Sequence, residues 1–186
     1  MRALCYGLLL ALAVSVTEAA EMLSVDVDYE EKVYTMRSEV WFDATVEQVY
    51  EVFRHWDYST QFSSAIVESR DIEPGEDGRP GFYVRNKGCV LFFCTSFERR
   101  GYVEAEQNKV IQAFVDPETS DFHLSDERWT FSQKDGGTVV IYNLKMQPKF
   151  WIPPAIGPYL IKRKLRRSGS DAIDRIEVIA QAVGSE

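Results

Sequence analysis

The chain has 186 residues, 45% of them hydrophobic, a length that suits one domain with a core of ordinary size rather than two. Its formal charge of −8 excludes a general electrostatic attraction to nucleic acid. Aromatic residues at 13% favour a β-rich chain.

The first 19 residues read as an export leader. Arg2 supplies a short positive region, Leu8 to Val16 an apolar one, and Thr17-Glu18-Ala19 a small-x-small site that places cleavage after Ala19. The apolar run falls short of the roughly 20 residues that span a bilayer. Cys5 precedes that run, so it is not a lipoprotein cysteine, and it leaves with the leader. The expected product is an exported soluble protein, periplasmic if the source is a Gram-negative bacterium and secreted otherwise.

Residues 20–33 are acidic and alternate weakly, as a mobile lead-in or a short added strand would. Tyr34 to Phe42 reads as a strand with Val40 and Phe42 on one face and Trp41 on the other. Thr45-Val46-Glu47-Gln48 is a capping box, which starts a helix carrying Val46, Val49, Tyr50 and Phe53 on one side. A second short helix is expected over Tyr58 to Ser64. Strands follow at Ile66–Ile72, Gly81–Lys87, Thr95–Glu104, Lys109–Val115, Asp121–Ser132 and Thr138–Met146. Pro74-Gly75-Glu76-Asp77-Gly78, Asn108 and Asp135-Gly136-Gly137 mark turns between them. Successive hairpins imply an antiparallel sheet.

Phe150-Trp151-Ile152-Pro153-Pro154 is a proline-stiffened strap that cannot be helical throughout. From Pro158 the pattern becomes helical, with Ile161, Leu165, Ala172, Ile176, Ile179 and Val183 near one face. Ser168 and Gly169 interrupt that stripe, so a helix with a small-residue waist either leaves space beneath it or packs closely there. Lys162 to Arg167 places five cations in six residues, a solvated helix face or a contact for anionic headgroups.

Leader removal leaves two cysteines, Cys89 and Cys94, in a compartment where disulfides persist. On one straight strand, positions five apart lie about 17 Å from each other, beyond the roughly 7 Å that a disulfide tolerates between Cα atoms. Either the thiols are free on one strand, or they staple a hairpin whose tip is Val90-Leu91-Phe92-Phe93. As the only remaining pair they are expected to be bridged.

Several local patterns together resemble a known family. They are Ala44-Thr45-Val46-Glu47-Gln48-Val49-Tyr50-Glu51-Val52-Phe53 followed by Trp56-Asp57-Tyr58, then Arg128-Trp129-Thr130-Phe131, Gly137-Thr138-Val139-Val140, and Pro153-Pro154 ahead of the last helix. The stretch from Tyr34 to Gln181 resembles the helix-grip fold of START lipid-transfer domains and the birch-pollen-allergen group. Within it, the chain is similar to the polyketide cyclase/dehydrase and coenzyme Q-binding-like branch of the SRPBCC superfamily, in an exported bacterial subgroup. The resemblance implies an α+β domain over residues 34–183, with a seven-stranded curved antiparallel sheet gripping a long C-terminal helix and two short helices after the first strand. It implies an apolar ligand and carries over no catalytic set and no cofactor.

In that frame Phe82, Val84, Phe97, Val103, Phe114, Trp129, Phe131 and Ile141 are strand residues able to face the long helix, as aromatic core or as cavity wall. Phe53 and, on the long helix, Ile161, Leu165, Gly169, Ala172 and Ile176 complete the candidate cavity. Glu98, Arg99, Glu104 and Arg128 lie on strands, where alternation sends some inward as a polar anchor and the rest outward. The tip Val90, Leu91, Phe92 and Phe93, with Trp151, Ile152, Lys162 and Arg163, forms a candidate gate or membrane contact; the tip could equally fold inward as core. His55 caps the first helix or faces solvent, and His123 would need a hydrogen-bonding partner to act as a base. No metal-ligand spacing, phosphate-cradling glycine loop or nucleophile elbow occurs in the sequence.

The function expected is binding, with carriage or sequestration, of a hydrophobic small molecule such as a lipid, quinone or isoprenoid. A polyketide cyclase- or dehydratase-like enzyme is the alternative, which a polar pair enclosed at the pocket floor would favour. A protein-interaction module is the third, which a filled interior would favour.

Overall fold

Eight strands form one antiparallel sheet in the computed structural model, which describes residues 20–90, 93–152 and 157–184. The elements are β1 (Glu21–Glu30), β2 (Val33–Phe42), α1 (Val46–Arg54), a 3-10 turn at Trp56–Tyr58, α2 (Ser59–Phe62), β3 (Ile66–Ile72), β4 (Gly81–Val90), β5 (Phe93–Glu106), β6 (Val110–Val115), β7 (Phe122–Lys134), β8 (Gly137–Pro148) and α3 (Gly157–Val183). Strands β3 to β8 form a continuous meander. β8 then pairs with β2, and β2 with β1, so the spatial order is β1-β2-β8-β7-β6-β5-β4-β3. The count is eight rather than seven because the acidic lead-in is a full edge strand, paired with β2 from Glu21 opposite Trp41 to Glu30 opposite Val33.

Local chemistry sets the boundaries. The Thr45 side chain accepts from Gln48 N–H at 3.3 Å and the Gln48 side chain accepts from Thr45 N–H at 2.8 Å, the reciprocal cap that starts α1. Asp135 and Gly136 both take positive φ, 51° and 84°, as a two-residue hairpin turn between twisted strands requires. A Cβ on Gly101 would lie 1.8 Å from the Phe114 carbonyl oxygen, so only glycine lets β5 press this closely on β6.

Strand alternation then divides the side chains between two faces. On β2, Tyr34, Met36, Ser38, Val40 and Phe42 are all buried on the concave side. α1, α2 and α3 pack over that side, where Val49, Tyr50 and Val52 of α1 and Ile173, Ile176 and Ala180 of α3 meet Val40, Phe42, Phe131 and Val140 of the sheet. A second cluster centres on Trp56, Phe82, Val84 and Phe122.

Candidate ligand-binding site

The cores leave a hollow between them. It measures about 240 Å³ and lies between the concave face and α3. Phe53, Trp56, Phe62 and Trp129 form aromatic walls, Val84 and Val140 add aliphatic surface from the sheet, and Gly169, Ala172, Ile173 and Ile176 close it from α3. Met22 of the edge strand completes the wall beside α3. Two aromatic stacks stiffen the lining: Trp56 on Phe82 at 4.3 Å, and Trp129 on Tyr142 at 5.1 Å.

The lining carries one cluster of ionisable side chains, besides the small polar residues Ser38, Ser59 and Ser63. Arg99 on β5 and Glu127 on β7 form an ion pair, with side chains 14% and 7% exposed. The Tyr142 hydroxyl on β8 donates to the other oxygen of Glu127 at 2.7 Å. All three line the hollow, and the buried Ser38 lies opposite Tyr142 in the β2–β8 register. Burial, then the negative charge and hydrogen bond of Glu127, push the Tyr142 phenol well above its usual range, with Arg99 opposing. The phenol is therefore held protonated as a donor. The Nε–H of Arg99 has no hydrogen-bond partner among the described residues. That atom is itself covered, but the Arg99 side chain lines the hollow and keeps 14% exposure, so the rest of its guanidinium can offer a donor to an oxygen on a guest while it pairs with Glu127.

The structure distributes the sequence-predicted residues as follows. Phe53, Val84, Trp129, Gly169, Ala172 and Ile176 line the hollow together. Phe82, Val103 and Phe131 face the concave side but belong to the packed clusters around it. Phe97 is inward-facing too, yet it packs against Phe122 and Phe150 beyond the hollow. Phe114 and Ile141 are corrections. Inward neighbours on their strands are Ala113 and Val115, and Val140 and Tyr142, so alternation turns both outward. Phe114 stacks instead on Tyr102 at 5.1 Å, and Arg79 covers the same Tyr102 ring. The side chains of Ile161 and Leu165 lie outside the described residues.

Of the four charged strand residues, Arg99 alone joins the hollow. Glu104 pairs with Arg79, Arg128 donates to Gln112, and Glu98 takes the outward parity next to Arg99. Glu127, Tyr142 and Ser38 were not picked out from the sequence. The signal for Glu127 was present in Ser125, Glu127, Trp129 and Phe131, spaced by two on one face. His123 is exposed, and His55 lies 3.3 Å from Glu51 on the surface at the end of α1.

Cys89 and Cys94 are joined by a disulfide and face each other in the β4–β5 ladder. The next pair out is Val90 opposite Phe93; their side chains, with all of Leu91 and Phe92, lie outside the described residues. Phe150 stacks on Phe97 at 5.3 Å, which fastens the start of the strap near this hairpin. Trp151 follows at 70% exposure, and Ile152 is half-buried. Lys162 reaches Asp28 of β1 at 3.8 Å, and Arg163 is exposed.

No protein-family model and no curated protein matches the sequence. Solved structures do match. A STAR-related lipid transfer protein from Xanthomonas axonopodis has a TM-score of 0.64 at 15% identity, over 88% of this chain and 99% of that one. A START superfamily protein from Mycobacterium smegmatis has a TM-score of 0.60 at 17% identity, over 78% and 98%. The Zhui aromatase/cyclase from a Streptomyces species has a TM-score of 0.59 at 14% identity, over 80% and 94%. Similarity over most of both chains in each case, together with the antiparallel sheet and long C-terminal helix found here, gives this protein a START-like helix-grip fold.

Proposed function

We propose that the chain binds one hydrophobic small molecule in the hollow and carries or sequesters it outside the cytoplasm. The observation that carries this reading is an apolar hollow with a single Arg99–Glu127–Tyr142 cluster in its wall. Pockets for small molecules combine these same two parts, oily walls and a few convergent polar groups. Similarity to a lipid transfer protein and to an aromatase/cyclase agrees with an apolar guest. The leader pattern in residues 1–19 supports export.

Size and lining narrow the guest. At about 240 Å³ the hollow exceeds the roughly 150 Å³ that holds benzene. It falls below the roughly 300–1,000 Å³ of pockets for drug-sized ligands. A compact ring or one short branched chain fits that volume; a two-chain lipid exceeds it. Removing roughly 200 Å² of apolar surface from water gives such a guest about 5 kcal/mol. A ring carbonyl or hydroxyl at the cluster would fix its orientation, which fits a quinone or an oxygenated isoprenoid.

The second reading is a cyclase- or dehydratase-like enzyme, and the enclosed polar cluster is the feature that favours it. Against it, a carboxylate neutralised by Arg99 and already accepting from Tyr142 is a poor general base. A hollow interior gives the interaction-module reading no support. Mass spectrometry of organic extracts of the exported protein tests the proposal. A stoichiometric apolar compound, recovered unchanged after incubation with fresh protein, is the expected result. A compound converted on incubation selects the enzyme. Empty extracts, with no uptake of an apolar fluorescent probe, overturn binding altogether.

A further inference from the structure

Glu177 is a carboxylate in a costly place. It lies on the buried side of α3, 8% exposed, beside Ile176 and one turn from the fully buried Ala180. Among the described residues no Lys, Arg or His forms an ion pair with it. Its oxygens are met by backbone nitrogens from two other elements. Oε1 accepts from the N–H of Asp43, just after β2, at 2.8 Å, and Oε2 accepts from the nitrogen of Ala20, just before β1, at 2.9 Å. Gln181, one turn further along α3, donates to the Asp43 carbonyl at 2.9 Å and fixes the same corner. Two amide donors compensate a buried anion less fully than a cation does.

The sequence can supply that cation at the nitrogen already in place. Ala20 is the residue directly after the small-x-small site Thr17-Glu18-Ala19. When a leader peptidase hydrolyses the Ala19–Ala20 amide, water adds across the bond. The carbon–nitrogen bond breaks, the hydroxyl stays on Ala19 as a carboxyl group that ionises, and the nitrogen stays on Ala20 as an amine that takes a proton. The product is an α-ammonium 2.9 Å from a buried carboxylate.

We propose that Glu177 is a built receptor for the α-ammonium of Ala20, so that processing after Ala19 turns an amide hydrogen bond into an ion pair that locks the edge strand to the long helix. The lock bears on the hollow. Met22, two residues into β1, shares its wall with Gly169, Ile173 and Ile176 of α3. Near the other end of β1 the exposed Asp28 meets Lys162 of α3 at 3.8 Å, a weak surface contact, so the ammonium is the stronger of the two ties between strand and helix. The unprocessed chain has only the amide at the first of these points. This inference stands on Ala20, Asp43 and Glu177 and is independent of what the hollow binds.

Intact mass of protein exported from a bacterial host gives the first check, and a mature chain beginning at Ala20 is expected. That form is then compared in urea unfolding with the same chain carrying Gly-Ser ahead of Ala20, which restores an amide at the position. The extension is expected to raise the unfolding equilibrium constant about tenfold, or about 1.4 kcal/mol. In the Glu177→Gln background the gap between the two forms should close. A readout that needs no variant is the rate at which an amine-reactive reagent labels the Ala20 α-amine. It should be at least about tenfold slower in the native than in the urea-unfolded mature protein. A mature start elsewhere, an extension effect below twofold, a gap that persists in Glu177→Gln, or equal labelling rates each overturn the proposal.

Discussion

Replacing Arg99 with Met probes the polar cluster where its energetics are largest. Methionine keeps an unbranched side chain on β5 and removes the guanidinium, leaving Glu127, 7% exposed, with Tyr142 as its remaining hydrogen-bond partner in the cluster. Removing one member of a buried ion pair costs about 3–5 kcal/mol, because the other charge stays buried. Arg99 retains 14% exposure, which places the expected loss near the lower end, about 3 kcal/mol. That is a large share of the roughly 5–15 kcal/mol that holds an ordinary domain together. The double variant Arg99→Met with Glu127→Leu removes both charges and leaves only the Tyr142 hydroxyl without its acceptor, a cost of about 1–3 kcal/mol offset by new apolar contact. It is therefore expected to be more stable than the single variant. Urea unfolding at neutral pH measures both. A single variant within about 1 kcal/mol of the native protein would mean that water reaches the cluster freely, and would refute its burial in the wall of the hollow.

High pH should destabilise the fold through its buried phenols. Burial, with Tyr29 adding, holds Tyr34 up to about 12, and Tyr142 is raised in the same direction. As pH rises above about 10 the unfolded chain releases these protons while the folded chain keeps them, so stability falls over that window. Urea midpoints should decline between pH 9 and 11 less steeply in Tyr142→Phe. The exposed Arg163 and Arg167, with Tyr159 at 66% exposure nearby, predict adhesion to anionic vesicles at low salt. Arg163→Glu with Arg167→Glu should weaken that adhesion thirtyfold or more, at about 1 kcal/mol per cation, without moving Tm; unchanged co-sedimentation rejects the surface. Gly169→Leu should raise Tm and abolish uptake of an apolar probe. Among the described residues a Cβ there meets only the flexible Met22 tip, at 3.3 Å, and leucine favours helix by roughly 0.8 kcal/mol over glycine. A lower Tm with uptake intact would place residue 169 in packed core instead.

Elements with strong local chemistry were legible in advance. The Thr45–Gln48 cap, the Asp135-Gly136 turn and β3 at Ile66–Ile72 stand where short-range rules place them. The edge strand β1 was ambiguous because Met22-Leu23 interrupt the alternation of Val25, Val27 and Tyr29 with Asp26, Asp28 and Glu30, where the register also shifts, and its pairing with β2 is a tertiary event. Phe114 and Ile141 show the limit of reading residue type without register. Both are large and apolar, yet one step of a period of two puts each on the outer face. Glu127 shows the reverse case: its charge suggests the outer face, yet its strand parity is that of Trp129 and Phe131. The cross-strand meeting of Arg99, Glu127 and Tyr142 joins three strands and was not readable from any one of them.

What keeps the hollow open is a division of labour between small and rigid residues. An interior that could relax would collapse toward native packing density, because each unfilled gap forfeits dispersion contacts. Here the small side chains Ser38, Ser59, Ser63, Gly169 and Ala172 withhold volume from the sheet side, the helical connection and α3 at once. The large neighbours that might swing inward are already committed. Trp56 is stacked on Phe82, Trp129 on Tyr142, and Phe53 touches Phe42, Phe62, Trp129 and Phe131. Closing the space would require breaking several of these ring contacts, each worth about 0.5–1.5 kcal/mol beyond its buried area. The charged pair acts in the same sense, since drawing Arg99 or Glu127 away from the other would leave a buried charge exposed to oil alone. Space of this kind, maintained against the tendency of a core to fill, is what a protein that encloses a guest requires.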